Sequence, residues 1–263
     1  MNKNNHTDAV QDFLKLVHIQ TTRNSLDWLG KIMRAFQRLP FENLTKILRT
    51  DLLAIEAAPR MPEIVLADHI DLGAGGTCFS LNFFLQQILE HAGFDVYPVV
   101  CDRSYGPNTH CALVVTIDNI KYFVDPGYLM LEPLEFPIQG SSVQKTPFNI
   151  TYFTRLGVTS QYTLVTEQAK TTRLRYRLKD KALSPEEFKK HWIESFNWPM
   201  MHHICITKLD QNGHIFVRDN NLRYNTIEKR SGEKIKTNYE ETLSKTFGID
   251  RKLIEAAKTK IKT

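Results

Sequence analysis

The hydrophobic period of the chain changes at Gly93, and this change constrains the fold more than any other feature of the sequence. Before it, apolar residues recur at helical spacing: Val10, Phe13, Leu14 and Val17, then Leu26, Leu29, Ile32, Met33 and Phe36, until Pro40 interrupts them. Residues 10 to 57 therefore read as helical. SLNFFLQQILEHA then extends a buried helix from Cys78 to about Ala92, with Gly93 placed for a left-handed C-terminal cap. After Gly93, FDVYPVV, HCALVVTI, IKYFV, YTLV and RLRYRL are short, β-branched and aromatic, with turn residues between them. A helical first part gives way to an antiparallel sheet or small barrel.

Signals in the last third are local. Ser184-Pro185-Glu186-Glu187 is a capping box with Pro at the first helical position, so a helix is expected through Trp192. Asn212-Gly213 is expected to close a hairpin between ICITKLD and HIFVRD, and Ser231-Gly232 a second one. Two helical stretches, EETLSKTFGI and DRKLIEAAKTKIK, follow, with Asp250 as N-cap. The expected class is α+β, in three domains: helical over 1–92, a β-barrel over 93–197 and an α/β lid over 198–263.

The 263 residues, 42% of them hydrophobic, suffice for a sizeable core. No run approaches the roughly 18 consecutive apolar residues of a membrane helix, and the polar start lacks the pattern of a secretory signal. A cytoplasmic protein without membrane contact is expected. The net charge of +5 is spread without a basic block, which argues against nucleic acid and still suits an anionic small molecule. Cys78, Cys101, Cys111 and Cys205 contain no CxxC pair, so neither a disulfide framework nor a metal site is expected.

The chemistry centres on Gly73-Ala74-Gly75-Gly76-Thr77-Cys78-Phe79-Ser80, where glycines lead into a cysteine at the start of a buried helix. A helix N-terminus favours thiolate over thiol, and glycines let a substrate carbonyl approach while amides stay free for an oxyanion. By itself this stretch fits equally a small buried residue after a glycine-rich turn. His110 and Asp125 break the tie, because a thiol nucleophile needs a base and the base needs an orienting group. If Asp118-Asn119 is a two-residue hairpin loop, Ile117 faces Ile120 and Asp125 falls opposite Ala112. His110 and Asp125 then share one face as diagonal neighbours, about 7–8 Å apart at Cα; a one-residue slip would separate them.

These residues carry a resemblance. Leu39-Pro40-Phe41-Glu42-Asn43-Leu44, then Gly75-Gly76-Thr77-Cys78-Phe79 with Asn82, then His110, then Val124-Asp125-Pro126-Gly127-Tyr128 resemble the segments of the arylamine N-acetyltransferases, in order and spacing. Phe196, Asp219-Asn220-Asn221 and Phe247-Gly248-Ile249 extend the similarity over nearly the whole chain. The resemblance implies a helical domain, a barrel and an α/β domain on a cysteine-peptidase-like core. It also implies a catalytic triad on Cys78, His110 and Asp125, with acetyl-coenzyme A as donor and a small aromatic amine, hydrazine or arylhydroxylamine as acceptor. Phe41 and Tyr128, with Tyr105, are candidate walls of an aryl pocket. The loop Tyr105, Gly106, Asn108 and Thr109 is either a contact for the pantetheine arm or an ordinary strand connection.

The sequence also departs from the family. Ala74 stands where its motif has arginine, so support for the nucleophile loop must come from elsewhere, and Ser80 replaces a common glutamate. Pro126, Tyr128 and Leu129 alter the wall expected to hold the acceptor. Two alternatives to the acetyltransferase stay open: a cysteine hydrolase or transglutaminase-like enzyme, and a catalytically silent relative that binds coenzyme A or an aromatic ligand.

Overall fold

The computed structural model describes residues 6–21, 25–50, 55–211 and 213–262. Its first part holds helices α1 (Thr7–Leu16) and α2 (Leu26–Phe36), strand β1 (Phe41–Glu42), and helices α3 (Leu44–Ile47), α4 (Pro62–Leu72) and α5 (Cys78–His91). The continuous helical expectation for residues 10 to 57 is thus corrected. Only α1 and α2 follow the periodicity; after Pro40 the chain forms a two-residue strand, the single-turn helix α3 and a 3-10 turn at Ile55–Ala57, while 51–54 lie outside the described residues. Helix α4 was not expected, although it starts with Pro62 and ends at Gly73 with φ +65°. Rings of Phe13, Phe36 and Phe84, from α1, α2 and α5, meet at centroid distances of 5.5–5.7 Å and lock these helices together.

The middle of the chain is antiparallel. Strands β2 (Asp95–Arg103), β3 (Gly106–Ile117), β4 (Ile120–Val124), β5 (Leu134–Glu135), β6 (Ser141–Lys145), β7 (Ile150–Arg155), β8 (Gln161–Gln168) and β9 (Thr171–Lys179) form one sheet. Its order is β5-β4-β3-β2-β9-β8-β7-β6, and the two edge strands approach each other, so the sheet nearly closes into a barrel. Strands β5 to β7 carry weak alternation and were not anticipated. The β3–β4 register agrees with expectation: Ile117 pairs with Ile120 and Leu113 with Val124. Asp118 and Asn119 both have positive φ, 50° and 63°, as a tight two-residue turn requires.

Helix α6 (Pro185–Glu194) opens on the expected capping box, with Ser184 and Glu187 bonding each other's backbone N–H. The last part contains β10 (Cys205–Asp210), β11 (Gly213–Arg218), β12 (Asn221–Asn225), β13 (Arg230–Lys234), α7 (Tyr239–Phe247) and α8 (Arg251–Lys262). Asp250 Oδ1 accepts from the N–H groups of Lys252 and Leu253 at 2.8 and 3.1 Å, which makes it the cap of α8. Two turn expectations are corrected. Gly213 pairs with Asp210, so it belongs to the strand and the turn lies one residue earlier; residue 212 is outside the described residues. Ser231 and Gly232 lie inside β13, opposite Tyr224 and Arg223, and the connection is 226–229, where Thr226 N–H donates to Lys229 O at 2.9 Å. Asp219, at φ 50°, makes the tight turn into β12 instead.

The second sheet has the order β1-β10-β11-β12-β13. Its edge strand β1 comes from the first part of the chain, with Phe41 opposite Thr207 and Glu42 opposite Ile206. At the same place Phe41 bridges Gly76 and Glu42 N–H donates to Gly76 O at 3.0 Å, which ties the second sheet to the loop before α5. No helix among the described residues is long and apolar enough to cross a membrane.

Candidate active site

Cys78 is the first residue of α5, after N-cap Thr77, so its backbone N–H belongs to the first-turn amides without intrahelical partners. One turn on, buried Asn82 donates through Nδ2 to Cys78 O at 2.9 Å and to Cys111 O at 3.0 Å, which ties the helix to β3. His110 projects from β3, and Asp125 follows β4 and is fully buried. His110 Nε2 lies 2.7 Å from Asp125 Oδ2. With Nε2 engaged by Asp125, Nδ1 is the ring nitrogen left for the Cys78 sulfur, whose ionisation His110 favours. The structure thus brings Cys78, His110 and Asp125 together in the order Cys–His–Asp.

The electrostatics favour charge separation. A hydrogen bond from the Cys111 thiol, then His110, and more remotely Lys46, hold the Cys78 pKa well below its ordinary value despite burial. For His110, burial opposes the imidazolium, but Asp125 and the Cys78 sulfur outweigh it and raise the pKa to about 9. Cys101, Cys111 and Cys205 move the other way, chiefly through burial, Cys205 to about 12. One sulfur of four is prepared for ionisation.

Three supporting residues escaped the sequence. Tyr176, on β9, donates from Oη to Asp125 Oδ2 at 2.5 Å, and its ring lies 5.0 Å from that of His110. Burial and Asp125 raise its pKa well above the ordinary value, so it stays a donor. Arg60, only 4% exposed, donates to Gly75 O and Thr45 Oγ1, each at 2.7 Å, and to Asp68 Oδ2 at 2.6 Å. It also stands 3.7 Å from Glu42 Oε1. A cation that Ala74 does not provide therefore reaches the Gly-rich loop before Cys78 from position 60; the available signal was an arginine between Pro59 and Pro62 in an apolar loop. Lys46 is also buried, bonded to Ser195 Oγ and 4.6 Å from the Phe196 ring centre, and desolvation lowers its pKa to about 8.

The glycines serve packing. A Cβ on Gly75 would lie 1.9 Å from Pro40 O, and Gly76 N–H donates to that same oxygen at 3.2 Å, so these residues admit the neighbouring backbone, not a substrate carbonyl. A Cβ on Gly127 would meet His110 Cε1 at 3.1 Å, Asp125 Oδ1 at 3.2 Å and Cys78 Cβ at 3.4 Å, so these three side chains converge on a glycine's width there.

A cavity of about 410 Å³ opens between the two sheets, with His110, Gly127 and Tyr128 at its inner end. Phe41 and Tyr105 also line it. Gly106, Asn108 and Thr109 do not. Their polar groups hold the β2–β3 turn, where Asn108 N–H donates to Asp102 Oδ1 at 2.9 Å and Thr109 Oγ1 to Gly106 O at 2.7 Å. Among the described residues no group of three or more His, Cys, Asp or Glu is placed to hold a metal.

Comparison with known proteins agrees with this architecture. The N-acetyltransferase family profile matches residues 25–255. An arylamine N-acetyltransferase of Mycolicibacterium smegmatis is 30% identical over 146 residues, covering 49% of this chain and 50% of that protein. An uncharacterized acetyltransferase, YvcN, of Bacillus subtilis is 28% identical over 149 residues, covering 52% and 56%. The chain therefore matches about half the length of these curated relatives. Among solved structures, the Mycobacterium abscessus arylamine N-acetyltransferase superposes over 100% of both chains with a TM-score of 0.82 at 16% identity. A Bacillus cereus arylamine N-acetyltransferase with a Cys-His-Glu catalytic triad covers 92% of this chain and 99% of its own, with a TM-score of 0.72 at 24% identity. At these identities the superpositions establish the fold.

Proposed function

The chain belongs to the arylamine N-acetyltransferase family as a divergent member, and from that premise we propose that it transfers an acetyl group from acetyl-coenzyme A to a small amine through Cys78. The observation that carries this is the convergence of Cys78, His110 and Asp125, with His110 at the inner end of the cavity. The Cys78 thiolate attacks the thioester carbonyl, and the first-turn amide of α5 faces the oxyanion that forms. Collapse expels coenzyme A, whose sulfur takes the proton from the His110 imidazolium. An acceptor amine then attacks the acetyl-cysteine, His110 removes its proton, and the thiolate leaves. Thioester is exchanged for thioester in the first half, so the intermediate lies close to the donor in energy.

Asp125 and Tyr176 act on the imidazole: the carboxylate fixes the ring and stabilises its charged form, and the phenol fixes the carboxylate. Arg60 supports the nucleophile loop where the family's motif arginine is missing, which argues against a silent relative. Intact-protein mass spectrometry after incubation with acetyl-coenzyme A tests the proposal. One acetyl group on the Cys78 peptide, removed by an added arylamine, is expected. An unmodified protein rules out the transfer, and discharge to acetate at the same rate with and without amine identifies a hydrolase.

A further inference from the structure

Cys78 has a second thiol beside it. Cys111 follows His110 on β3, and the alternation of the strand turns it to the opposite face, so His110 lines the cavity while Cys111 is fully buried and takes no part in the lining. Asn82 fixes how the two cysteines sit. Its Nδ2 donates to Cys78 O at 2.9 Å and to Cys111 O at 3.0 Å, which brings both backbones within reach of one nitrogen. The two thiols share an apolar cluster with Phe79, Phe83, Phe188 and Trp192. Asn82 has spent both its N–H groups on carbonyls and has none for a sulfur, and its Oδ1 has no hydrogen-bond partner among the described residues.

A thiolate in such surroundings is stripped of water, and burial opposes its charge. Charged and titratable groups face it from several elements: His110 on β3, Arg103 and Cys101 on β2, Tyr105 in the turn after β2, Asp125 after β4 and Lys46 on α3. Among the influences that favour the thiolate, Cys111 is the largest, ahead of His110 and Lys46. Burial, and then the Cys78 sulfur, hold the Cys111 pKa well above its ordinary value, so Cys111 keeps its proton and serves as a donor.

We propose that Cys111 is a positioning residue for the nucleophile: its S–H donates to the Cys78 sulfur while that sulfur is a thiolate and loses the bond once the sulfur is acetylated. A thioester sulfur is a poor acceptor, so the donor stabilises the free enzyme and the departing thiolate more than the acetyl-enzyme. The consequences in the two directions have opposite sign. Attack on acetyl-coenzyme A is slowed, because a stabilised thiolate is a weaker nucleophile, and release of the acetyl group is hastened, because it is a better leaving group. In that release the acceptor nitrogen bonds to the acetyl carbon, the carbon–sulfur bond breaks with its electron pair going to Cys78, and the acceptor's proton passes to His110. Cys111 gives up no proton in either half. The proposal rests on the amine-transfer reading of the site and adds to it a bias toward discharge.

Two variants and two measurements test it. Cys111→Val keeps the bulk and removes the donor, whereas Cys111→Ser keeps a donor. Alkylation of Cys78 by iodoacetamide is first followed against pH by peptide mass. Its midpoint should rise by about one pH unit in the valine variant and stay at or below the wild-type value in the serine variant. Acetyl exchange with a fixed mixture of acetyl-coenzyme A and coenzyme A is then followed by intact mass, at a pH above every midpoint. The valine variant should gain the acetyl group about threefold faster and lose it about threefold more slowly, which raises the equilibrium ratio of acetylated to free protein about tenfold. Discharge to aniline should slow by a similar factor. An unshifted midpoint or an unchanged equilibrium ratio in the valine variant overturns the proposal. So does slowing in both directions, or a serine variant that behaves like the valine one, since either assigns Cys111 to packing alone. The midpoint needs no acetyl transfer: a wild-type Cys78 that accepts no acetyl group sinks the amine-transfer reading, and the alkylation profile still decides whether Cys111 donates to the thiolate.

Discussion

Around Cys78 the charges are paired inside the protein, His110 with Asp125 and Arg60 with Glu42 and Asp68, whereas across the cavity six guanidiniums face no carboxylate. The first region is set before any substrate arrives: ring, carboxylate and loop are held by bonds made on folding. The second keeps its guanidiniums without a carboxylate partner among the described residues. The contrast is between charges that folding pairs and charges that folding leaves unpaired.

The sharpest break is Cys78→Ala, which should abolish acetyl transfer, read as loss of the acetyl adduct in intact-protein mass spectrometry. Asp125→Asn comes next. It should keep the fold and lower acetylation of Cys78 about 10⁴-fold, because the amide leaves the imidazole in the wrong tautomer; stopped-flow with acetyl-coenzyme A measures this. Arg60→Met strips a buried cation from Glu42 and Asp68 and should cost about 3–5 kcal/mol in a denaturant titration. An exposed arginine such as Arg223 should cost almost nothing in the same assay.

Iodoacetamide sharpens the same comparison. The lowered Cys78 pKa keeps its thiolate present until pH falls through that value, and the raised His110 pKa keeps the imidazolium until pH rises through about 9. Between these limits Cys78 should alkylate about tenfold faster or more than Cys101, Cys111 and Cys205, read by peptide mass spectrometry. Tyr176→Phe should have the smallest effect, a roughly tenfold slower acylation, because Asp125 loses one donor of several.

The register of the β3–β4 hairpin was legible because an Asp-Asn pair between alternating strands admits a two-residue turn, and the turn fixes which residues face each other. His110 and Asp125 followed from it. Ser231-Gly232 misled, because a small flexible pair is compatible with a turn without requiring one, and here it lies in an edge strand. Helix α4 had its signals in Pro62 and Gly73, but apolar residues around most of its circumference blur the periodicity.

By itself the sequence determined what depends on near neighbours: helices α1, α2 and α5, the strands β2, β3 and β4, the caps at Ser184 and Asp250, and a cysteine at a helix start. Tertiary structure decided what depends on distant segments meeting: β1 joining the second sheet, Arg60 reaching the loop whose own arginine is absent, Tyr176 closing over Asp125, and six arginines from two sheets sharing one cavity. The physical reason is range. Backbone preference and hydrophobic period act within a turn or two of the chain, whereas a buried charge is satisfied by whichever partner packing brings within a few ångströms, however far away in sequence.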